Sequence, residues 1–333
     1  MRDRIFVIGT SAGGIEALRV LCATLPADFA APIAVVMHSS PQSPGVLHDI
    51  INRAGPLRAT VARNGEHIKA GHIYVPAPDT HLLIEPGRVR LRRGPKENRF
   101  RPAVDPLFRT AAQVYGPAAI GVILTGNLDD GTAGLWAIKR LGGLAIVQDP
   151  ADALCPAMPE NARRHVPVDY SVPLSEMGPL LVRLTAAPVE REAVTVPEHI
   201  QVDIKIAREE DPLDAGLASV SEPSAIACPE CHGVLMQMKE EGRIRLRCHT
   251  GHGYSPDSLL AEISEGIEDA LWNAVRSLQE GGILMRQLAQ HQTDAHPTTN
   301  NGGALRNRAA ALDRQADTLR ALIQEGDGFS PSS

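Results

Sequence analysis

The chain has 333 residues, 43% of them hydrophobic, and a formal net charge of −6. That length accommodates one full α/β domain and a smaller second unit, and the acidic balance removes any global attraction to phosphate backbones, so nucleic acid is not an expected partner. Only a handful of apolar residues precede Gly9, too few for a secretory core or a membrane span, which gives the expectation of a cytoplasmic protein without direct membrane insertion.

In chain order, Arg4 to Ile8 reads as a strand, and Gly13 to Leu25 sets Ile15, Leu18, Leu21 and Cys22 on one helical face before Pro26 ends the helix. Ile33 to Met37 is a second strand. His72 to Val75 and a hairpin over His81 to Arg92, turning at Pro86 and Gly87, have a different texture and suggest a sheet that is mixed at one edge. Helix-patterned stretches at Asp105 to Val114 and Thr132 to Leu141 flank the apolar runs Ile120 to Leu124 and Leu144 to Val147. Runs of that kind are what strands buried on both faces of a parallel sheet require. The expected fold class is therefore α/β, a doubly wound and mainly parallel sheet with helices on both faces, plus a small C-terminal zinc-ribbon and helical segment. The expected organisation is a catalytic domain over 1–187, a linker over 188–225 rich in Pro, Glu, Ala and Ser, a Cys/His module over 226–256, a helical segment over 257–292, and a polar, disordered tail over 293–333.

Gly9-Thr10-Ser11-Ala12-Gly13 follows a strand and opens a helix. The small residues permit a sharp turn that exposes the Ser11 hydroxyl near backbone N–H groups suited to an oxyanion. A phosphate-binding glycine loop is the competing reading, yet a dinucleotide fingerprint needs Gly where Ser11 stands, and no Gly-Lys-Ser/Thr follows. No Tyr is followed by Lys four positions later, which disfavours a short-chain dehydrogenase. A nucleophilic serine needs a base and a group to orient it. His38 ends the second strand on the sheet edge where Ser11 emerges, and open α/β sheets assemble sites along that edge. His48, His67, His72 and His81 lie on helical or peripheral segments with no such link. Asp129 and Asp130 follow the Ile120 to Leu124 strand, and the adjacent pair allows one orienting partner and one helix cap. The order Ser, His, Asp differs from that of α/β-hydrolases and argues against a lipase.

These stretches resemble the chemotaxis receptor methylesterases of the CheB type over roughly residues 4 to 185. The similarity rests on Val7 through Gly14, the strand ending in His38, Arg101 through Phe108, Leu124-Thr125-Gly126 through Asp130-Gly131, and Gly142-Gly143 leading to Gln148-Asp149-Pro150. The resemblance implies Ser11 as nucleophile, His38 as general base and Asp130, the acid immediately before the glycine, as its orienting partner. It further implies hydrolysis of glutamyl γ-methyl esters, with glutamine deamidation through the same intermediate. The implied partner is a methylated chemoreceptor or a similar helical bundle, along with other chemosensory signalling proteins. No catalytic cofactor is implied. Ala12 and Asn127 depart from the family's usual residues, leaving open which groups bind the oxyanion, and Arg99 and Arg101 are candidates to meet an acidic receptor face. The chain starts at the catalytic strand, so the expectation is a stand-alone form without the receiver domain. A catalytically weak signalling scaffold on the same fold is the alternative reading.

Five cysteines are present, and three crowd into Cys228-Pro229-Glu230-Cys231 and Cys248-His249-Thr250-Gly251-His252. This spacing is close to that of a zinc ribbon, and the expected ligands of a structural zinc are Cys228, Cys231, Cys248 and His252, with His249 as the alternative fourth. A redox Cys-x-x-Cys pair would leave the second cluster without a role.

Overall fold

A computed structural model describes residues 4–189, 194–240, 242–295 and 302–324. The chain divides into two compact units, Met1–Ser258 and Leu259–Ser333.

In the first unit, β1 (Ile5–Thr10), α1 (Gly14–Thr24), β2 (Ile33–Met37), α2 (Leu47–Ala54), β3 (Arg58–Val61) and β4 (His72–Val75) build one half of a sheet. The hairpin β5 (His81–Glu85) and β6 (Arg88–Arg92) leads through a long loop to α3 (Val104–Tyr115). β7 (Ala119–Ile123), α4 (Thr132–Arg140), β8 (Leu144–Gln148), α5 (Ala157–His165), β9 (Tyr170–Val172) and α6 (Leu174–Ala186) complete the other half. The strand order is β3-β4-β2-β1-β7-β8-β9, and every neighbouring pair is parallel. The expected mixed edge is thus overturned. β5 and β6 form a separate two-stranded sheet, with one isolated bridge from Arg88 to His67, because their apolar residues Leu82, Ile84 and Val89 are buried with Leu107 and Phe108 of α3, and Thr110 of α3 accepts the Ile84 N–H at 3.0 Å.

Alternation along β1 explains the layering. Ile5 and Val7 join the core that holds Leu107, Leu135 and Ile138 of α3 and α4. Phe6 and Ile8 join the opposite core with Leu18, Ile51 and Leu181 of α1, α2 and α6. Each such fully buried side chain contributes about 1.5–3 kcal/mol. The chain winds outward from β1 on one side and from β7 on the other. The crevice between their carboxyl ends is where open α/β sheets place ligands.

The expected linker over 188–225 is corrected for its described part; residues 190–193 lie outside the described residues. It carries α7 (Glu198–Ala207), with Ile200, Val202, Ile204 and Ile206 all buried, and then β10 (Ser221–Ala227). Alternating branched residues masked a helix whose Ile200 and Ile204, four apart, pack into the main core. β10, β11 (Val234–Met238), β12 (Leu246–Cys248) and β13 (Gly253–Tyr254) form a four-stranded sheet, so the Cys/His module belongs to the same compact unit as the large sheet. Ion pairs fasten it there. Asp203 of α7 meets Arg245 at 2.7 Å and Arg247 at 2.8 Å, while Glu97 meets Arg247 at 3.1 Å and Arg109 of α3 at 2.5 Å.

The second unit holds most of α8 (Pro256–Ala295), one continuous helix, and α9 (Gly303–Gln324). The latter corrects the expected disordered tail over 302–324. Ala309 and Ala316 are buried, Arg286 pairs with Asp313 at 2.6 Å, and an alanine-rich helical stripe suffices to hold two helices together. Residues 296–301 and 325–333 of that tail lie outside the described residues. No described helix is long and apolar enough to cross a membrane.

Candidate active site

The turn from β1 into α1 is stitched to the turn after β7. The Ser11 N–H donates to the Thr125 carbonyl at 3.0 Å, the Thr10 hydroxyl donates to the same carbonyl at 2.7 Å, and the Thr125 hydroxyl donates to the Ala12 carbonyl at 3.0 Å. Gly13 adopts φ 76°, a left-handed conformation that lets the chain turn from strand to helix within two residues. Gly126 is required by space: a Cβ there would lie 2.9 Å from Ser11 Cβ and 2.1 Å from Met158 Sδ. The Gly126 N–H is committed to the Cys155 carbonyl at 2.9 Å.

His38 follows β2 and donates its backbone N–H to Thr10 at 3.2 Å. Its side chain is only 4% exposed. Nδ1 lies 3.1 Å from Ser11 Oγ, and Nε2 lies 2.7 Å from Asp130 Oδ2. The imidazole stacks face to face on Phe100, with ring centroids 3.7 Å apart and planes 8° from parallel. An aromatic slab of that kind fixes the ring plane and excludes water from one face. The structure brings Ser11, His38 and Asp130 together, and it is Asp130, not Asp129, that contacts His38.

Asp130 is 1% exposed. Its carboxylate caps α3, accepting the Val104 N–H at 2.7 Å and the Asp105 N–H at 3.3 Å, and it accepts the Asn98 side-chain amide at 2.8 Å. Burial pushes its carboxyl upward, but the His38 contact, the Val104 N–H and Asn98 outweigh that and hold it below the usual carboxylate range. Its two neighbours go the other way. Burial, then the Asp130 charge, raise Asp105 to about 6, and burial raises Asp129 to about 7 despite a hydrogen bond from Ser255. One ionised carboxylate beside two reluctant ones concentrates the negative charge on the group that faces His38.

Sequence reasoning missed Asn98, Phe100 and Asp105. Asp105 lies inside the Arg101-to-Phe108 segment without a role read from it, and Asn98 and Phe100 had only proximity to that segment, because nothing in a polar loop discloses which side chain will turn inward. Arg101 is engaged by Asp79 at 2.7 Å and by the Gly94 carbonyl at 2.7 Å, and Arg93 also pairs with Asp79. Arg101 thus braces this loop. It still lines, with Arg99, the open cleft of about 820 Å³ that exposes Ser11 and His38 between Ile15, Pro41 and Phe100.

Away from this cleft, ligand atoms of Cys228, Cys231, Cys248 and His252 lie within 4.8 Å of one another and could hold a metal ion. Cys231 and Cys248 sulfurs are 3.6 Å apart, and His252 Nδ1 is 3.7 Å from Cys228 and 3.5 Å from Cys248. Tetrahedral zinc, with bonds of about 2.3 Å to sulfur and 2.0–2.1 Å to nitrogen, needs edges of about 3.5–3.8 Å. His249, the alternative ligand, is exposed and lies over Gly233 instead.

A profile of the CheB methylesterase family matches residues 6–181, a span that contains Ser11, His38 and Asp130 and ends before the Cys/His cluster. A Leptospira interrogans protein named for protein-glutamate methylesterase and protein-glutamine glutaminase is 41% identical over 192 residues, covering 57% of this chain and 100% of that protein. A Xanthomonas campestris protein named for the same two activities is 40% identical over 189 residues, covering 55% of this chain and 52% of that one, so this chain spans about half of that relative's length. The crystal structure of the Thermotoga maritima CheB methylesterase catalytic domain is 34% identical and matches with a TM-score of 0.53, covering 55% of this chain and 100% of that one.

Proposed function

The chain belongs to the CheB methylesterase family, and from that premise we propose that it hydrolyses glutamyl γ-methyl esters on methylated chemoreceptor-like helical proteins. Ser11 is the nucleophile, His38 the general base and Asp130 its orienting partner. The observation that carries this reading is the unbroken relay from Ser11 Oγ through both ring nitrogens of His38 to Asp130. Asp130 holds the proton of His38 on Nε2, which leaves the Nδ1 lone pair for the Ser11 hydroxyl. The ring is used in the reverse sense from the serine-protease template, where Nε2 faces the serine.

The chemistry follows from that arrangement. Nδ1 takes the Ser11 proton as Oγ attacks the ester carbonyl, then returns it to the departing methoxide, releasing methanol and leaving a glutamyl ester on Ser11. Water entering from the open cleft loses a proton to Nδ1 and attacks that ester, freeing glutamate and restoring Ser11. A glutamine side chain would give the same acyl-enzyme with ammonia as leaving group, which supports a deamidase activity. Backbone N–H groups of Ala12 and Gly13, in the turn that leads into the positive end of α1, are assigned to the oxyanion. The open cleft suits a glutamyl side chain projecting from a receptor helix.

Three thiols and one imidazole suit zinc, and four protein ligands close its coordination, which makes the site structural. A reduced thiol cluster fits the cytoplasm as the place of action. The test is methanol release from a carboxymethylated chemoreceptor preparation by wild type and Ser11→Ala at matched folding. Release by wild type alone supports the assignment; equal background release from both overturns it.

A further inference from the structure

The loop between β6 and α3 touches both the relay and the Cys/His module. On the relay side, Asn98 donates to Asp130 at 2.8 Å and to Asp105 at 3.0 Å, and Phe100 is stacked on His38. On the module side, the loop backbone extends the small sheet: the Gly253 N–H donates to Lys96 at 3.1 Å and the Asn98 N–H donates to Gly253 at 2.8 Å. Gly253 directly follows His252, whose carbonyl accepts the Cys248 N–H at 3.0 Å. Lys96 meets Glu230, inside the first cysteine turn, at 2.5 Å. The Asn98 side-chain oxygen accepts the Ser255 N–H at 3.1 Å and the Ser258 hydroxyl at 3.2 Å.

Between these two sets of contacts the loop holds a conformation it would not adopt alone. Asn98 and Arg99 are consecutive non-glycine residues with φ of 49° and 77°, a sparsely populated region that Asn tolerates and Arg does not favour. Such backbone persists only where surroundings impose it. The imposing strand is β13, which starts directly after His252 and pairs with β12, the strand that ends in Cys248, and in closed Cys/His sites metal binding supplies much of the folding energy of the surrounding turns.

We infer that the Cys/His module is a positioning device for the esterase relay, and that metal held by Cys228, Cys231, Cys248 and His252 sets the loop that aligns Asp130 through Asn98 and His38 through Phe100. This rests on the proposed esterase and metal readings and adds a coupling between them. Asn98 is a positioning residue: it touches the orienting carboxylate and no reacting atom. Metal loss frees the 96–100 segment, turns the His38 ring and lowers turnover, while Ser11, His38 and Asp130 themselves all remain.

The full chain loaded with zinc is compared with the same protein stripped by a chelator and with Cys231→Ser. Three quantities are read: kcat and KM for methanol release from a carboxymethylated receptor preparation, the downfield proton resonance of His38 Nε2–H against Asp130, and far-UV circular dichroism. Small displacements of catalytic groups cost on the order of a hundredfold, and that loss is expected in kcat, with KM moving less than about threefold. The downfield resonance disappears while the dichroism of the large sheet and its helices persists, and added zinc restores the stripped protein. In zinc-loaded Asn98→Ala the zinc content is unchanged, yet kcat falls about tenfold and the His38 resonance shifts. A stripped protein that keeps both its kcat and its resonance overturns the coupling, the Glu97 pair with Arg109 then being enough to hold the loop. If zinc-loaded wild type releases no methanol, the substrate reading falls by itself, and the resonance decides the coupling: lost on stripping it stands, retained it fails.

Discussion

The two sides of the relay are held by different physics. Ser11 and His38 stand at the ends of β1 and β2, adjacent parallel strands whose buried side chains are apolar except for Thr10, and backbone hydrogen bonds to Thr125 and Thr10 fix their turns. Asp130 faces a layer in which Glu97, Asp105, Arg109, Asp203, Arg245 and Arg247 are packed with little exposure. The first side depends on hydrophobic burial, which is insensitive to pH. The second depends on paired charges, whose desolvation is tolerated only while every partner is present. On the proposed mechanism this gives a robust nucleophile and a conditional orienting acid.

The largest expected effect tests the conditional side at the relay itself. Asp130→Asn keeps the shape but leaves His38 without the charge that fixes its proton on Nε2, and kcat should fall on the order of 10³–10⁴-fold, with a lower melting temperature as well because the amide nitrogen faces buried N–H donors. A loss below tenfold would mean that Phe100 stacking and Asn98 orient the ring unaided. Next is Asp203→Asn. It strips Arg245 and Arg247 of a shared buried partner, and urea unfolding at pH 7 should show a loss of about 3–5 kcal/mol. Arg245 and Arg247 overcome the burial of Asp203 and hold its carboxyl far below the ordinary range. Its contribution is therefore complete above the unfolded value near 4, and the gap between wild type and variant shrinks as pH falls from about 4 toward the depressed folded value. A gap that stays constant down to pH 2 would contradict the ion-pair account.

Ile204→Ala probes the apolar counterpart in the same helix. Its side chain is 1% exposed in the main core, so chemical denaturation should show a cost of about 2–4 kcal/mol that does not vary with pH. A cost under about 0.5 kcal/mol, the range of exposed sites, would return α7 to the status of a linker. Asp129 tests the charged side from the opposite direction. Its carboxyl is raised to about 7 by burial, so the folded state is penalised progressively as pH rises from about 4 to 7 and fully above that. Asp129→Asn should match wild type in melting temperature at pH 4 and exceed it at pH 8, the gap opening as pH rises from about 4 to 7. No difference at pH 8 would show that Asp129 is ionised without cost.

The same contrast explains what could be read from the sequence. β1, β2, β7 and β8 are apolar runs, and their periodicity disclosed the parallel sheet and the sides from which Ser11, His38 and Asp130 emerge. The cysteine spacing pointed to Cys228, Cys231, Cys248 and His252, which cluster and could hold a metal ion. What stayed hidden was written in charge: Arg245, Arg247 and Asp203 look like solvent-facing residues in a string, and only the folded chain reveals that they neutralise one another inside. For that reason α7 read as linker, and the Cys/His module read as a separate domain. Asn98 and Phe100 were hidden because a loop has no period from which an inward direction can be inferred. The hairpin β5–β6 was recognised, but its placement depended on α3, a partner distant in sequence.

The central claim is attack by Ser11 on a glutamyl methyl ester. A receptor peptide carrying that ester is mixed with the protein, quenched in acid within a turnover, digested and mapped by mass spectrometry. The account predicts an adduct of the peptide less methanol, confined to the fragment containing Ser11 and absent from Ser11→Ala. An adduct on another residue, or hydrolysis that persists in Ser11→Ala, would contradict it.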